Sequence, residues 1–310
     1  MIARAFRWTV GIVIGASLAM LLFLTWLIAT ESGARWLLGQ ASSRLPEALS
    51  IESVDGTLLK GLQFHNIAWL DPSATASMAE LAIHVELMPL LKREVLITTL
   101  AIRNAEVTTQ EGTEPEGPSE PLSVDIPVTL RLANGSVTTL RIATPGSEFL
   151  IDSIQLAVEL AGSSLDLRRL DLQSTLADVA LSGDVLLTGD YQARVSAAWE
   201  LRLQDQAPLS GILGVRGNAP RYEIEHDLDA PYAIATRGTV ALGQAGISLD
   251  LENQWQQIRI ERGDATELEL SAGSLRLTGM PDNLAFDAET SLGAADRRRV
   301  ALQARGTVAG

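Results

Sequence analysis

The 310-residue chain contains no cysteine, two lysines, three histidines and three tyrosines. Without cysteine it can build neither a disulfide framework nor a thiolate metal site. Two lysines in a chain of formal charge −14 leave no basic tract for nucleic acid. His65, His84 and His226 stand apart, with no His-x-x-x-His or paired-carboxylate spacing, and are expected to be strand histidines rather than ligands. Neither a G-x-S-x-G motif nor a P-loop nor a Rossmann fingerprint occurs, and "GILGVRG" at 211–217 has the wrong spacing and no helix after it. No catalytic, cofactor-binding or metal site is expected, and the chain is not expected to be an enzyme. Helical periodicity is scarce too: beyond Pro46 it is limited to a single turn at "MPLLKR".

What is present is apolar sequence in two forms. The first is the uncharged run Trp8–Thr30, long enough as a helix to cross a hydrocarbon layer of roughly 30 Å. Arg4 and Arg7 precede it and Glu31 follows, which predicts a cytoplasmic N-terminus and a bulk on the far, periplasmic side of an inner membrane. A cleaved signal peptide is the alternative. The run is longer than a usual h-region and lacks a small-x-small site after it, which favours an uncleaved single-pass anchor. Next, "TESGARWLLGQASSRLP" offers Thr30 or Ser32 as N-cap, apolar residues at helical spacing and Pro46 as a stop, predicting a juxtamembrane amphipathic helix over 31–46.

The second form is alternation with period two. In "YQARVSAAWELRL" the positions Tyr191, Ala193, Val195, Ala197, Trp199, Leu201 and Leu203 share one face. "RYEIEHDLD" places Tyr222, Ile224, His226 and Leu228 against Glu223, Glu225, Asp227 and Asp229, and the acids are expected to form a solubilising outer wall rather than an ion site. Ile247, Leu249 and Leu251 continue the pattern, as do Ile154, Leu156 and Val158 upstream and Leu275 and Leu277 downstream. Turn signals separate the runs at Gly162, Gly189, Gly217, Asp229 and Gly243, and "NG" at 134–135 is expected to be a hairpin turn. Repeated "xLxG" units end at Gly183, Gly189 and Gly279, with "TRG" and "ARG" at Gly238 and Gly306, at irregular spacing.

The expected fold is therefore all-β. Residues 47–110 form a first β region, 111–121 within "QEGTEPEGPSEP" an acidic flexible linker, and 122–310 a repetitive antiparallel sheet. Periodicity leaves two architectures open: a closed sandwich whose apolar faces form core, or a long sheet curled into a groove with an apolar inner wall. An inward set of Leu, Ile, Val and Ala with few large aromatics leans toward the groove, as does an ending inside a strand-like unit, which suggests a piece of a longer array. One stretch, "ELMPLLKREVLITTLAIRNAEV", is apolar on both faces around Val95–Leu100. The expectation is that the groove takes one face, while a "PLLKR" plug or the juxtamembrane helix covers the other. Leu90, Leu91 and Leu96 would then cap a wall that Leu81, Ile83 and Val85 begin.

The uncharged run, then "TESGARWLL", "LSIESVDGTLLKGLQFHNIAW" and "ASMAELAIHVELMPLLKREVLITTLAIRNAEVT" resemble, over residues 20–110, the N-terminal region of the TamB family. These are inner-membrane components of the translocation and assembly module, within the AsmA-like group of bridge-type lipid transfer proteins. The resemblance implies a β-groove of the "β-taco" kind that carries phospholipid acyl chains from the inner toward the outer membrane. It also implies a partner, the Omp85-type outer-membrane barrel TamA, met through a C-terminal region absent from this sequence. The expected groove lining is Leu81, Ile83, Val85, Ile154, Leu156, Val158, Tyr191, Val195, Trp199, Tyr222, Ile224, Leu228, Ile247, Leu249 and Leu251. Two rivals stay open: a membrane-anchored adaptor for outer-membrane protein assembly or autotransporter secretion that pairs client strands by β-augmentation, and a structural β-sandwich.

Overall fold

A computed structural model describes residues 25–42, 48–71, 74–109, 124–203, 206–243, 246–262, 266–294 and 300–309. Most of the uncharged run and the 111–121 linker lie outside these residues. Among the described residues no helix is long and apolar enough to cross a membrane. Beyond the N-terminal region the described residues are all-β and antiparallel, with 18 strands and no long helix among them. The chain divides into two compact units, Met1–Gly117 with Leu130–Ile154, and Pro118–Thr129 with Gln155–Gly310.

In the first unit, residues 25–29 are helical and helix α1 follows over Glu31–Ser42. Thr30 is the expected cap: its hydroxyl oxygen accepts from the Gly33 amide at 3.1 Å and donates to the Trp26 carbonyl at 2.6 Å. Four strands then meander, β1 (Leu49–Thr57), β2 (Gly61–Leu70), β3 (Ala74–Glu86) and β4 (Glu94–Thr109), each pairing with the next. A five-residue 3₁₀ turn, η1 (Met88–Lys92), links β3 to β4 and matches the expected single turn.

The apolar positions of all four strands keep a step of two and then slip once by three. Ile51 is followed by Val54, Phe64 by Ile67, Met78 by Leu81, and Ile102 by Ala105. The registers align these into the rows Ile51–Ile67–Met78–Ala105 and Val54–Phe64–Leu81–Ile102. Between the rows lie Asn66 at φ 50° and Asn104 at φ 51°. Asparagine tolerates this left-handed conformation better than other non-glycine residues, and one such residue in a strand skips a beat of the pleat.

A bulge between His84 and Val85 explains the stretch apolar on both faces. Val85 pairs with Ile97 while His84 pairs with Thr99, leaving Thr98 as the extra residue. Its hydroxyl donates to the His84 carbonyl at 3.2 Å. The slip brings Ile97 into phase with Leu100 and Ile102, so no second apolar layer is required. The η1 plug does not form one: Leu90 is 45% and Leu91 83% exposed. The expectation that Leu90 and Leu91 cap the wall is therefore corrected, while Leu96 is half-buried in β4 opposite Glu86.

Strands β5 (Ile126–Thr144) and β6 (Ser147–Gly162) contribute to both units. Asn134 and Gly135 lie inside β5 and make no turn; the Asn134 side-chain amide instead donates to the Thr98 carbonyl at 3.1 Å. The hairpin falls at Pro145–Gly146, where Gly146 has φ 89°.

The second unit continues as a ladder. Its strands are β7 (Ser164–Ser174), β8 (Ala177–Leu186), β9 (Ala193–Leu201), β10 (Leu209–Asn218), β11 (Arg221–Ala230), β12 (Ile234–Gly243) and β13 (Gly246–Trp255). Gly189 lies between strands, and Gly162, Gly217, Asp229 and Gly243 lie at the ends of theirs, so the expected turn signals fall at strand boundaries. Beyond these come β14 (Ile258–Arg262), β15 (Thr266–Leu270), β16 (Gly273–Met280), β17 (Asn283–Ala294) and β18 (Val300–Ala309). The β13–β16 register, ending Trp255↔Gly273, runs on as Ile258↔Leu270 in β14–β15, so β13–β14 and β15–β16 form the two arms of one interrupted hairpin. The Trp255 indole N–H ties that break, donating to the Ser271 carbonyl at 3.0 Å.

Candidate functional site, an apolar wall

In an antiparallel pair, residues opposite one another lie on the same side of the sheet. The registers of the second unit therefore assemble its strands into rows. One runs Leu167–Gly183–Val195–Val215–Ile224–Gly238–Leu251–Leu277–Phe286–Gly306, across ten strands without a polar side chain. Its neighbour runs Leu165–Val185–Ala193–Gly217–Tyr222–Val240–Leu249–Gly279–Leu284–Val308. The glycines that looked irregular along the sequence fall into line: Gly183, Gly238 and Gly306 share the first row, Gly217 and Gly279 the second. At Gly306 a Cβ would stand 2.9 Å from the Phe286 ring, so glycine is what lets that ring lie flat across the neighbouring strand.

The wall is half-covered rather than sealed. Ala197, at 8% exposure, is the one buried hydrophobic side chain among the described residues of this unit. Facing residues of a filled sandwich would be close-packed and shut from water across most of the central strands. Val195, Ile224 and Leu251 are only half-buried although their strands have neighbours on both sides.

The expected lining residues divide as follows. Val195, Ile224 and Leu251 share one row, Tyr222 and Leu249 the next, and Ile247 sits opposite Leu242 beyond them. Trp199 and Leu228 both pair with Gly211. Tyr191 is not in the strand: it has φ 49° in the turn before β9, and its carbonyl accepts from the Tyr222 hydroxyl at 2.8 Å. Leu203 likewise lies past the end of β9. Leu81 and Ile83 belong to the wall of the first unit, in rows with Phe64 and Ile102 and with Leu62 and Leu100, and Val85 joins it through the bulge. Ile154 falls in the first unit and Leu156 and Val158 in the second, all half-buried.

A third row carries polar groups that the sequence pattern did not assemble. It runs Ala197–Leu213–His226–Thr236–Asn253–Leu275. The Thr236 hydroxyl donates to Asn253 Oδ1 at 2.7 Å, and Asn253 Nδ2 donates to the Leu275 carbonyl at 3.1 Å. The Trp199 indole donates to His226 Nε2 at 3.3 Å, the rings stacking at 5.7 Å between centroids. Every polar side chain of this row thus has a partner, which keeps it compatible with an apolar surround. Only the register could reveal it, because its three polar members lie on three different strands.

The opposite face is charged. Glu225, Arg237, Glu252, Arg276, Asp287 and Arg305 stand opposite one another on successive paired strands, alternating in sign. Arg216 bridges Glu223 at 2.7 Å and Glu225 at 3.0 Å, Arg237 meets Asp227 at 2.8 Å, and Arg276 grips Asp250 through two bonds of 3.0 Å. Glu223, Glu225 and Asp227 of "RYEIEHDLD" are thus part of an ion-paired outer surface. Arg202 binds both oxygens of Asp178, at 2.8 and 2.9 Å, and also Glu200 at 2.8 Å. The bonded guanidiniums hold the carboxyls of Asp178 and Asp250 below the usual aspartate range. In the first unit the corresponding face carries the Arg103–Glu80 pair at 3.0 Å, and His65 lies 3.4 Å from Asp55.

One face apolar and half-accessible, the other ion-paired, on a meander of short-turned strands: this defines the class as a repetitive antiparallel β-sheet protein presenting a continuous apolar wall. A model of the family described as the N-terminal domain of TamB matches residues 20–149 and 122–309. The chain belongs to that family. No curated protein and no solved structure matches it.

Proposed function

We propose that the chain is the membrane-anchored part of a periplasmic conduit that guides phospholipid toward the outer membrane and supports its biogenesis. The observation that carries this reading is the ten-strand apolar row that remains half-accessible. Acyl chains laid along such a wall leave water at roughly 25 cal/mol per Å² of apolar area removed, so the wall substitutes for the bilayer interior. Head groups stay in solvent, and guidance of this kind needs no catalytic residue. The anchor is the uncharged Trp8–Thr30 run, in single-pass orientation with the N-terminus cytoplasmic. An Omp85-type barrel such as TamA is the receiving partner, by resemblance to the family.

The test is Val195→Asp. Its row neighbours are Gly183 and Val215, so the carboxylate can reach water without unfolding the sheet, yet it breaks the apolar row. Lipid co-purifying with the full chain, measured by mass spectrometry, should fall about tenfold because an acyl chain cannot cover a charge cheaply. Unchanged lipid in a folded variant overturns the conduit and favours the adaptor, whose function should instead fail on proline substitutions that block strand edges.

A further inference from the structure

The first unit carries an apolar cluster that the wall does not use. Met88 is 77%, Leu90 45% and Leu91 83% exposed in η1, and Leu59 in the β1–β2 turn is 56% exposed. Both connections lie at one end of the sheet: Thr57↔Gly61 closes β1–β2, Leu62 pairs with Ile83, and β3 runs from Ile83 into η1 within five residues. Single exposed leucines are ordinary, but four large apolar side chains projecting from adjacent connections mark a contact surface.

Two observations name what covers it. The Leu59 amide donates to the Ile28 carbonyl at 3.2 Å, so this end of the sheet abuts the helical residues in which the uncharged run ends. Trp26 is 37% exposed there, a residue type favoured at the boundary between headgroups and hydrocarbon. The second observation is charge. Lys60 and Lys92 are the only lysines in a chain of net charge −14. They flank this cluster, one in each connection, with Arg93 beside the second, and among the described residues none of the three joins an ion pair. Several arginines elsewhere, among them Arg216, Arg237, Arg276 and Arg305, are instead paired with acids. Glu86 and Glu94 also flank η1, so the rim is mixed with a small cationic excess, and Lys60, Lys92 and Arg93 can extend to the phosphates of anionic headgroups while the apolar side chains dip below them.

We propose that η1 and the β1–β2 turn make a second, monotopic contact with the anionic phospholipid bilayer, seating this end of the apolar wall on the membrane surface. The contact rests on the anchored reading above, and it is separable from lipid conduction. Since the chain has no cysteine, Leu91→Cys gives one labelling site at a side chain that packs on little. The full chain, carrying an environment-sensitive fluorophore there, is reconstituted into vesicles of phosphatidylethanolamine and phosphatidylglycerol containing spin-labelled lipid. Ser182→Cys, exposed on the charged face of the second unit, is the control.

Quenching by the lipid should exceed the control by about threefold or more for a side chain at the headgroup boundary. Adding Lys60→Glu and Lys92→Glu should return it toward the control, because each basic group near an anionic surface shifts partition roughly fivefold. A chain that floats with the vesicles while its label stays in water overturns the contact alone. A label shielded from water but not quenched by lipid means that protein, such as a second copy, covers the patch, which also overturns it. A chain that does not float overturns the anchor and the contact together. The Val195→Asp lipid measurement is independent of all three outcomes.

Discussion

Each of the two units builds an apolar face, and they do so from different local chemistry. In the first, four strands change phase together, and two left-handed asparagines, Asn66 and Asn104, accommodate the slip. In the second, alternation runs unbroken along most strands and the adjustments are made by glycines aligned in rows across the sheet. The difference teaches that a continuous wall depends on keeping apolar positions in phase across strands, whether by a shared irregularity or by a shared regularity. A strand out of step would turn its whole apolar set to water.

The comparison can be broken most severely at Gly238. A Cβ there would meet the Asp250 carbonyl oxygen at 2.1 Å, so Gly238→Ala must move backbone and should cost about 3 kcal/mol in urea unfolding. Gly243, where the nearest atom would be 3.8 Å away, is the matched control, and Gly243→Ala should stay within about 0.5 kcal/mol. In the first unit, Asn104→Val should cost about 1–2 kcal/mol while Asn104→Gly should not, since only the branched side chain opposes a left-handed backbone. Equal effects of the two changes would remove asparagine from the account of the phase slip.

The smallest effect concerns the charged face. Arg276→Gln removes a largely exposed pair and should lower the melting temperature only slightly at neutral pH. The folded-state pKa of Asp250 is depressed by Arg276, so the pair's contribution is complete above the ordinary aspartate value of about 3.9 and disappears as pH falls through the folded value. The gap between variant and parent, followed by thermal melts, should therefore close on acidification from about pH 4 downward. A gap that widened there would reverse the assigned sign.

Period-two alternation made the second unit legible, and the faces of Tyr222–Leu228 and Val195–Leu201 fall where the pattern puts them. It failed where one backbone residue changes the phase. A step of three in "GLQFHNIAW" or "LITTLAIRN" looks the same as apolar sequence on both faces unless the left-handed residue or the bulge is known. Asn134–Gly135 carried a strong turn signal, but the Asn134 amide found a partner in β4 and the strand ran on to Pro145–Gly146. Tyr191 matched the pattern only because the turn before β9 ends on the same parity. The His226–Thr236–Asn253 row and the glycine rows were beyond reach in principle, since each is defined by register between strands rather than by spacing along one.

The alternating charges on the outer face bear on how the sheet assembles. Many of its strands are of similar length with similar apolar patterns, so the apolar face alone distinguishes poorly between correct and shifted neighbours. With Glu225, Arg237, Glu252, Arg276, Asp287 and Arg305 set across successive paired strands, skipping one strand would bring Arg237 against Arg276 or Glu252 against Asp287. Each such error places like charges side by side, where correct pairing gives attraction. The outer face thus disfavours such mispairings, a contribution separate from the small stability that each exposed pair adds to the finished sheet.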